Sequence, residues 1–169
     1  TADFVLYAAA VVVMATSLLA APAAHRAALA ALVLAGLAGW TLLEYALHRF
    51  VLHGVQPFQG WHAEHHARPT ALICSPTLLS AGLFAGGVFL PAWMLGNGWQ
   101  ATALTLGVVA GYLAYATTHH ALHHWHGGGA WLLERKRWHA RHHHPRAGQV
   151  PCFGVSSGFW DRLFGSAGR

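Results

Sequence analysis

The sequence predicts an all-α integral membrane protein in a single domain, residues 1–169: four transmembrane helices with a cytosolic helical cap. Three observations predict it. The composition is 55% hydrophobic and only 9% charged, with a mean hydropathy of +0.39, whereas a soluble domain carries roughly 25% charged residues. Four long apolar runs are separated by short polar breaks. The polar residues left over are dominated by 15 histidines, most of them clustered just beyond the ends of the apolar runs.

The spans fall at about 4–21, 27–53, 78–95 and 99–124, and the cap comprises 54–77 and 125–169. Phe4 to Ala21 is nearly unbroken and apolar up to Pro22; its length as a helix is about 27 Å, enough to cross a hydrocarbon core. Small residues after Ala21 suit signal cleavage, but the start carries Asp3 and no basic stretch, so the segment reads as a retained span. The second helix runs on through Glu44, Tyr45, His48, Arg49 and His53. At about 40 Å it exceeds the bilayer core, and its end should project into the cytosol. Leu78 to Leu95 forms the third span, with a kink expected at Pro91. Gly96-Asn97-Gly98 allows only a tight turn before the fourth, and Gly127-Gly128-Gly129 ends that helix.

Basic residues fix the orientation. Arg49, Arg68, Arg135, Lys136, Arg137, Arg141, Arg146, Arg162 and Arg169 share one side of this topology, and only Arg26 lies on the other. The positive-inside rule makes the first side cytosolic, with both termini and all the histidine clusters on it. The net charge of +5 is therefore a topology signal beside apolar runs, and nucleic acid is excluded as a partner. Cys74 and Cys152 form no C-x-x-C pair, which excludes a disulfide framework and a thiolate zinc site.

Ten histidines make four clusters: His48 with His53; His62, His65 and His66; His119 with His123; and His139, His142 and His143. Spacings of three and four place imidazoles on one helical face. Five residues, as between His48 and His53, turn a regular helix by about 140°. Either those rings approach from different directions or the helix is distorted between them. Ten imidazoles exceed the three or four ligands of a zinc site and suit two metal ions of five or six ligands each. Imidazole accepts iron, zinc, copper and nickel, so ligand type does not choose the metal. Glu44, four residues before His48, is placed to orient a ring, and Glu64 between His62 and His65 to do the same; ion pairs to Arg49 or Arg68 are the alternative for these acids.

Taken together, Glu44-Tyr45-Ala46-Leu47-His48-Arg49-Phe50-Val51-Leu52-His53, Trp61-His62-Ala63-Glu64-His65-His66, Thr118-His119-His120-Ala121-Leu122-His123-His124 and Trp138-His139-Ala140-Arg141-His142-His143 resemble a known family. With Phe153-Gly154-Val155-Ser156-Ser157 and Trp160-Asp161-Arg162-Leu163-Phe164-Gly165 they resemble the fatty acid hydroxylase and sterol desaturase superfamily of membrane di-metal oxygenases, and most closely its lipid-acyl hydroxylase branch. The resemblance implies two catalytic iron ions, with zinc as an isolated form, and O2 as co-substrate. It implies hydroxylation of a C–H bond in a lipid entering from the bilayer. No haem domain precedes the first span, so a separate donor, a reductase with a ferredoxin or haem protein, is expected to supply two electrons.

Some residues depart from or exceed the family pattern. Thr70 stands where the branch often has Asp. His120 and His124 are candidates for further ligands or ring-orienting groups, whereas His126 and His144 are read as surface residues and His25 as interfacial. Trp160 and Asp161 are assigned to packing of the cap. A carotenoid or sterol-type hydroxylase or desaturase is the neighbouring alternative. A membrane zinc hydrolase of lipid amides or esters needs one zinc and about three ligands, leaving most histidines surplus. A metal transporter would place polar ligands within the spans, and the apolar runs contain no charged residue or histidine.

Overall fold

The computed structural model describes residues 2–71, 76–145, 147–148 and 150–167; Cys74, Arg146 and Arg169 lie outside them. All regular structure among the described residues is helical: α1 (Ala2–Leu19), α2 (Arg26–Ala46), α3 (Phe58–Ala67), α4 (Thr77–Phe84), α5 (Leu90–Leu95), α6 (Gly98–His124), α7 (Ala130–His143) and α8 (Phe159–Leu163). A π-helical turn, Leu47–Leu52, continues α2, and another, Ala85–Phe89, joins α4 to α5. The second lies just ahead of Pro91, which has no N–H to give and whose ring crowds the carbonyl four residues back. A wider turn takes up that mismatch where a kink was expected.

Four helical stretches are long and apolar enough to cross a membrane: Ala2–Leu19, Ala23–Leu52, Thr77–Leu95 and Gly98–His124. Each satisfies its own backbone hydrogen bonds, which the bilayer interior requires. The chain divides into two compact units. One is built from Thr1–Trp40 and Ser75–Ala114, the other from Thr41–Cys74 and Tyr115–Arg169.

In the first unit, α1 and α4–α5 leave Val12, Val13, Leu78, Leu83, Met94 and Leu95 exposed, a surface suited to lipid. Asp3 accepts hydrogen bonds from Thr77 and from the Tyr112 hydroxyl, the latter at 3.0 Å. Beneath it, Tyr7 packs edge-on against Phe84 and Tyr112 with centroids 5.5 and 4.9 Å away. α2 and α6 cross through glycines: a Cβ on Gly107 would stand 2.8 Å from Leu37 N, and one on Gly36 3.0 Å from Val108 N. Backbone contact this close is how helices gain dispersion energy where water supplies no drive to associate.

The second unit collects the end of α2 with its π turn, α3, the end of α6, α7 and α8. Its buried residues are mostly polar or aromatic: Glu44, Tyr45, His48, His62, His65, Arg135, Trp138, His139, His142 and Asp161. So many buried polar groups call for partners, from the chain or from a bound ligand.

The crossing yields a prediction. Gly107→Ala overpacks α2 against α6 and should cost about 1–3 kcal/mol, read as a lower thermal midpoint in detergent. Gly39→Ala, with nothing within 4 Å of the added Cβ, should leave the midpoint unchanged or raise it.

Candidate metal centre

The π turn decides the geometry of the first histidine pair. Its hydrogen bonds span one residue more than those of an α-helix, which brings residues five apart onto one face. The His48 and His53 rings stand 5.4 Å apart at an angle of 31°. Of the two arrangements the spacing permits, the distorted helix is the one formed.

The clusters on α3 and α7 are each divided. In steps of 100°, the second and third histidines of each cluster lie about 60° behind and 40° ahead of the first. They therefore aim at different neighbours. His62 and His66 from α3 join His48, His53 and His142 in one group. His65 from α3 joins His119 and His123 of α6 and His139 of α7 in another; within each group the candidate ligand atoms lie within 4.8 Å of one another. His143 lies between the groups: its Nε2 is 3.0 Å from His139 Nε2, and its ring stacks on His66 at 4.2 Å.

These nitrogens fit a metal better than they fit each other. His62 Nε2 lies 3.0 Å from His48 Nε2, 3.3 Å from His142 Nε2 and 2.9 Å from His66 Nε2. A ring nitrogen carries at most one proton, so one atom cannot satisfy three such contacts by hydrogen bonding. His48 Nδ1–H donates to the Phe153 carbonyl at 2.5 Å, leaving its Nε2 as a lone pair among other nitrogens. His65 Nε2 is buried with no partner among the described residues. Metal–imidazole bonds of about 2.0–2.1 Å set at right angles separate the nitrogens by about 2.9 Å, the spacing seen here.

The fatty acid hydroxylase family model matches residues 33–166. The chain belongs to the fatty acid hydroxylase family. Among curated relatives, it is 32% identical over 146 residues to the ceramide very long chain fatty acid hydroxylase scs7 of Schizosaccharomyces pombe, covering 79% of this chain and 41% of that protein. It is 32% identical over 146 residues to a dihydroceramide fatty acyl 2-hydroxylase of Arabidopsis thaliana, covering 78% of this chain and 58% of that one. The chain thus spans about half the length of these relatives. A solved structure described as full length scs7p, with only the hydroxylase domain visible, superposes with a TM-score of 0.78 at 27% identity. The match covers 97% of this chain and 64% of that one.

Among the family's motif residues, the acids take places that spacing alone does not reveal. Glu44 bonds neither the His48 ring nor Arg49 directly. Its Oε1 accepts the Val155 and Ser156 N–H groups at 2.7 and 2.8 Å, and Oε2 accepts the Ser156 hydroxyl. The ring-orienting acceptor for His48 is instead the Phe153 carbonyl, a backbone atom with no signature of its own in the sequence. Glu64 is exposed and pairs with Arg68, away from the rings. His120 and His124 stack on each other at 4.3 Å and belong to neither group; His126 and His144 are exposed. Trp160 donates its indole N–H to Thr41 Oγ1 at 2.9 Å and stacks on Phe164, while Asp161 is fully buried.

Burial, reinforced by neighbouring imidazoles, holds the rings neutral. His65 and His66 are lowered to about 4 and His143 to about 3, and His62, His139 and His142 lie far below the usual 6.5. The same rings titrate near 6.5 once unfolded, so the unfolded chain takes up protons first as the pH falls. Stability is then complete above about pH 6.5 and is lost progressively toward pH 4. The thermal midpoint of chelator-treated protein should be flat above that window and fall steeply within it; a flat profile down to pH 4 would show that the rings are not buried neutral.

Proposed function

We propose that the chain hydroxylates the fatty acyl chain of a membrane lipid, with two metal ions, iron in the active form, held by the two histidine groups. The observation that carries the reading is the pair of adjacent all-imidazole groups, five rings in one and four in the other, each within 4.8 Å. One zinc takes about three protein ligands in a hydrolase, so two such groups favour a two-metal oxygenase over a lipid amidase or esterase. The relatives are named for hydroxylation of ceramide and dihydroceramide acyl chains, and the Arabidopsis 2-hydroxylase supports carbon 2 of the acyl chain as the position.

The reaction takes O2, two electrons and two protons, puts one oxygen atom into a C–H bond and releases the other as water. Bound iron would supply the O2 binding and redox chemistry that side chains lack. The chain's own residues then have three tasks. His48, His53, His62, His66 and His142 hold one ion, and His65, His119, His123 and His139, joined by His143, hold the second. The Phe153 carbonyl keeps His48 in the tautomer that presents Nε2. The Phe153 ring, packed edge-on at 5.5 to 5.9 Å from His53, His142 and His48, excludes water from the first group.

α2 and α6 carry the ligands at the ends of stretches able to cross a membrane, which brings a bilayer lipid to the metals without leaving the apolar phase. The basic side, with the histidines and both termini, is cytosolic by the positive-inside rule. There a separate reductase with a ferredoxin or haem protein delivers the electrons.

Protein purified without oxygen from iron-replete cells should contain two metals per chain, at least partly iron, and lipids from expressing cells should gain one oxygen atom by mass spectrometry. His123→Ala should lose metal and activity, whereas His126→Ala, at an exposed position, should keep both. A single tightly held zinc would overturn the reading in favour of the hydrolase.

A further inference from the structure

Two buried carboxylates beside the histidines hold backbone, not metal ligands. Asp161 has none of its surface exposed. Its Oδ1 accepts the Phe153 N–H and the Ser166 hydroxyl, both at 2.8 Å. Its Oδ2 accepts the Gly154 N–H at 2.8 Å and the Trp138 indole N–H at 3.2 Å. Glu44 takes the next two N–H groups, those of Val155 and Ser156. Four consecutive amides are thus fixed by two side chains from α8 and α2. A Cβ at residue 154 would stand 2.9 Å from Asp161 Oδ2, so the segment lies this close to the carboxylate because residue 154 is glycine.

The segment so fixed presents the Phe153 carbonyl to His48 Nδ1. Asp161 is fixed in turn. Ser166 gives its proton to Asp161 and so accepts from the Tyr45 hydroxyl at 2.9 Å, and Tyr45 accepts from Arg49 at 2.5 Å.

We propose that Glu44 and Asp161 are positioning residues for the His48 metal site, acting through the clamped Phe153–Ser156 backbone. The proposal rests on the metal-centre reading above. None of the hydrogen bonds of Glu44 reaches the second histidine group, so its effect is confined to one ion of the two.

Isosteric amides separate this role from charge and from packing. In Glu44→Gln the remaining oxygen still accepts both N–H groups, and the Ser156 hydroxyl turns to accept from the new NH2. In Asp161→Asn either oxygen that becomes NH2 faces a backbone N–H that cannot turn, so part of the clamp is lost. The experiment loads the protein with zinc, which imidazole sites accept, and follows release to EDTA. Glu44→Ala and Asp161→Asn should weaken retention of one ion about 10- to 100-fold; in Glu44→Ala the second ion should leave at the wild-type rate. Glu44→Gln and the exposed control Glu64→Ala should match wild type. In parallel, the His48 Nδ1–H resonance of nitrogen-labelled histidine should be lost in Glu44→Ala and kept in Glu44→Gln.

Loss of both ions together in Glu44→Ala, no change in either, or a Gln variant as damaged as the Ala variant would overturn the proposal. If Glu44→Ala does not fold, Ser156→Ala carries the test by deleting one hydroxyl: faster release of one ion only supports the clamp, and wild-type release overturns it. Wild type holding fewer than two zinc ions would instead refute the metal-centre reading, and the His48 resonance would still report on the clamp.

Discussion

Neutral imidazoles packed nitrogen to nitrogen are the constraint from which the second unit is built. Each ring must be buried, uncharged and aimed, yet His62 Nε2 has three nitrogen neighbours and at most one proton to share. A cation at the convergence point would resolve the conflict, because every lone pair would then face a positive charge. Its capture would be coupled to folding of this unit, as it is wherever ligands must be gathered from separate elements. Three buried polar features, the neutral rings, the Phe153 carbonyl and the carboxylate clamp, make sense only together.

Two of the helices that bear the histidines, α2 with its π turn and α6, also have membrane-crossing length. His48 lies in the turn that extends α2, and His119 and His123 close α6. A helix end is a firm mount because its ring positions follow from the backbone repeat. α3 and α7 complete the two groups by dividing their own histidines, so neither group can form without both. Sharing rings in this way sets the two groups side by side, where any two ions they held would lie close enough to act on one substrate.

Much of this was legible in the sequence, for physical reasons. Apolar runs of bilayer length and histidines at spacings of three and four depend only on the helical repeat, and the four candidate spans and four histidine-bearing segments follow from it. What periodicity could not give was partition: His65 and His66 are neighbours in sequence but belong to different groups, because the turn between them is 100°. Nor could it decide between the two arrangements open to His48 and His53, which depend on a one-residue change in hydrogen-bond span. Glu44 was read as a ring-orienting acid because it stands one turn from His48, but its partners are amides more than a hundred residues away. A signal was present all the same. In a chain with only five acids, a carboxylate bordered by apolar residues must find donors, and a glycine-containing loop offers them.

The π turn at Leu47–Leu52 sets a limit on how such proteins can be recombined. It behaves as an inserted residue whose phase error is absorbed before His53. Any chimera that exchanges the second span must join upstream of Leu47 and keep the count from there to His53 intact. A junction inside the turn that dropped one residue would restore a regular α-helix and rotate everything beyond it by about 100°. The apolar stretch of α2 is therefore interchangeable in composition, while the six residues after it are fixed in number.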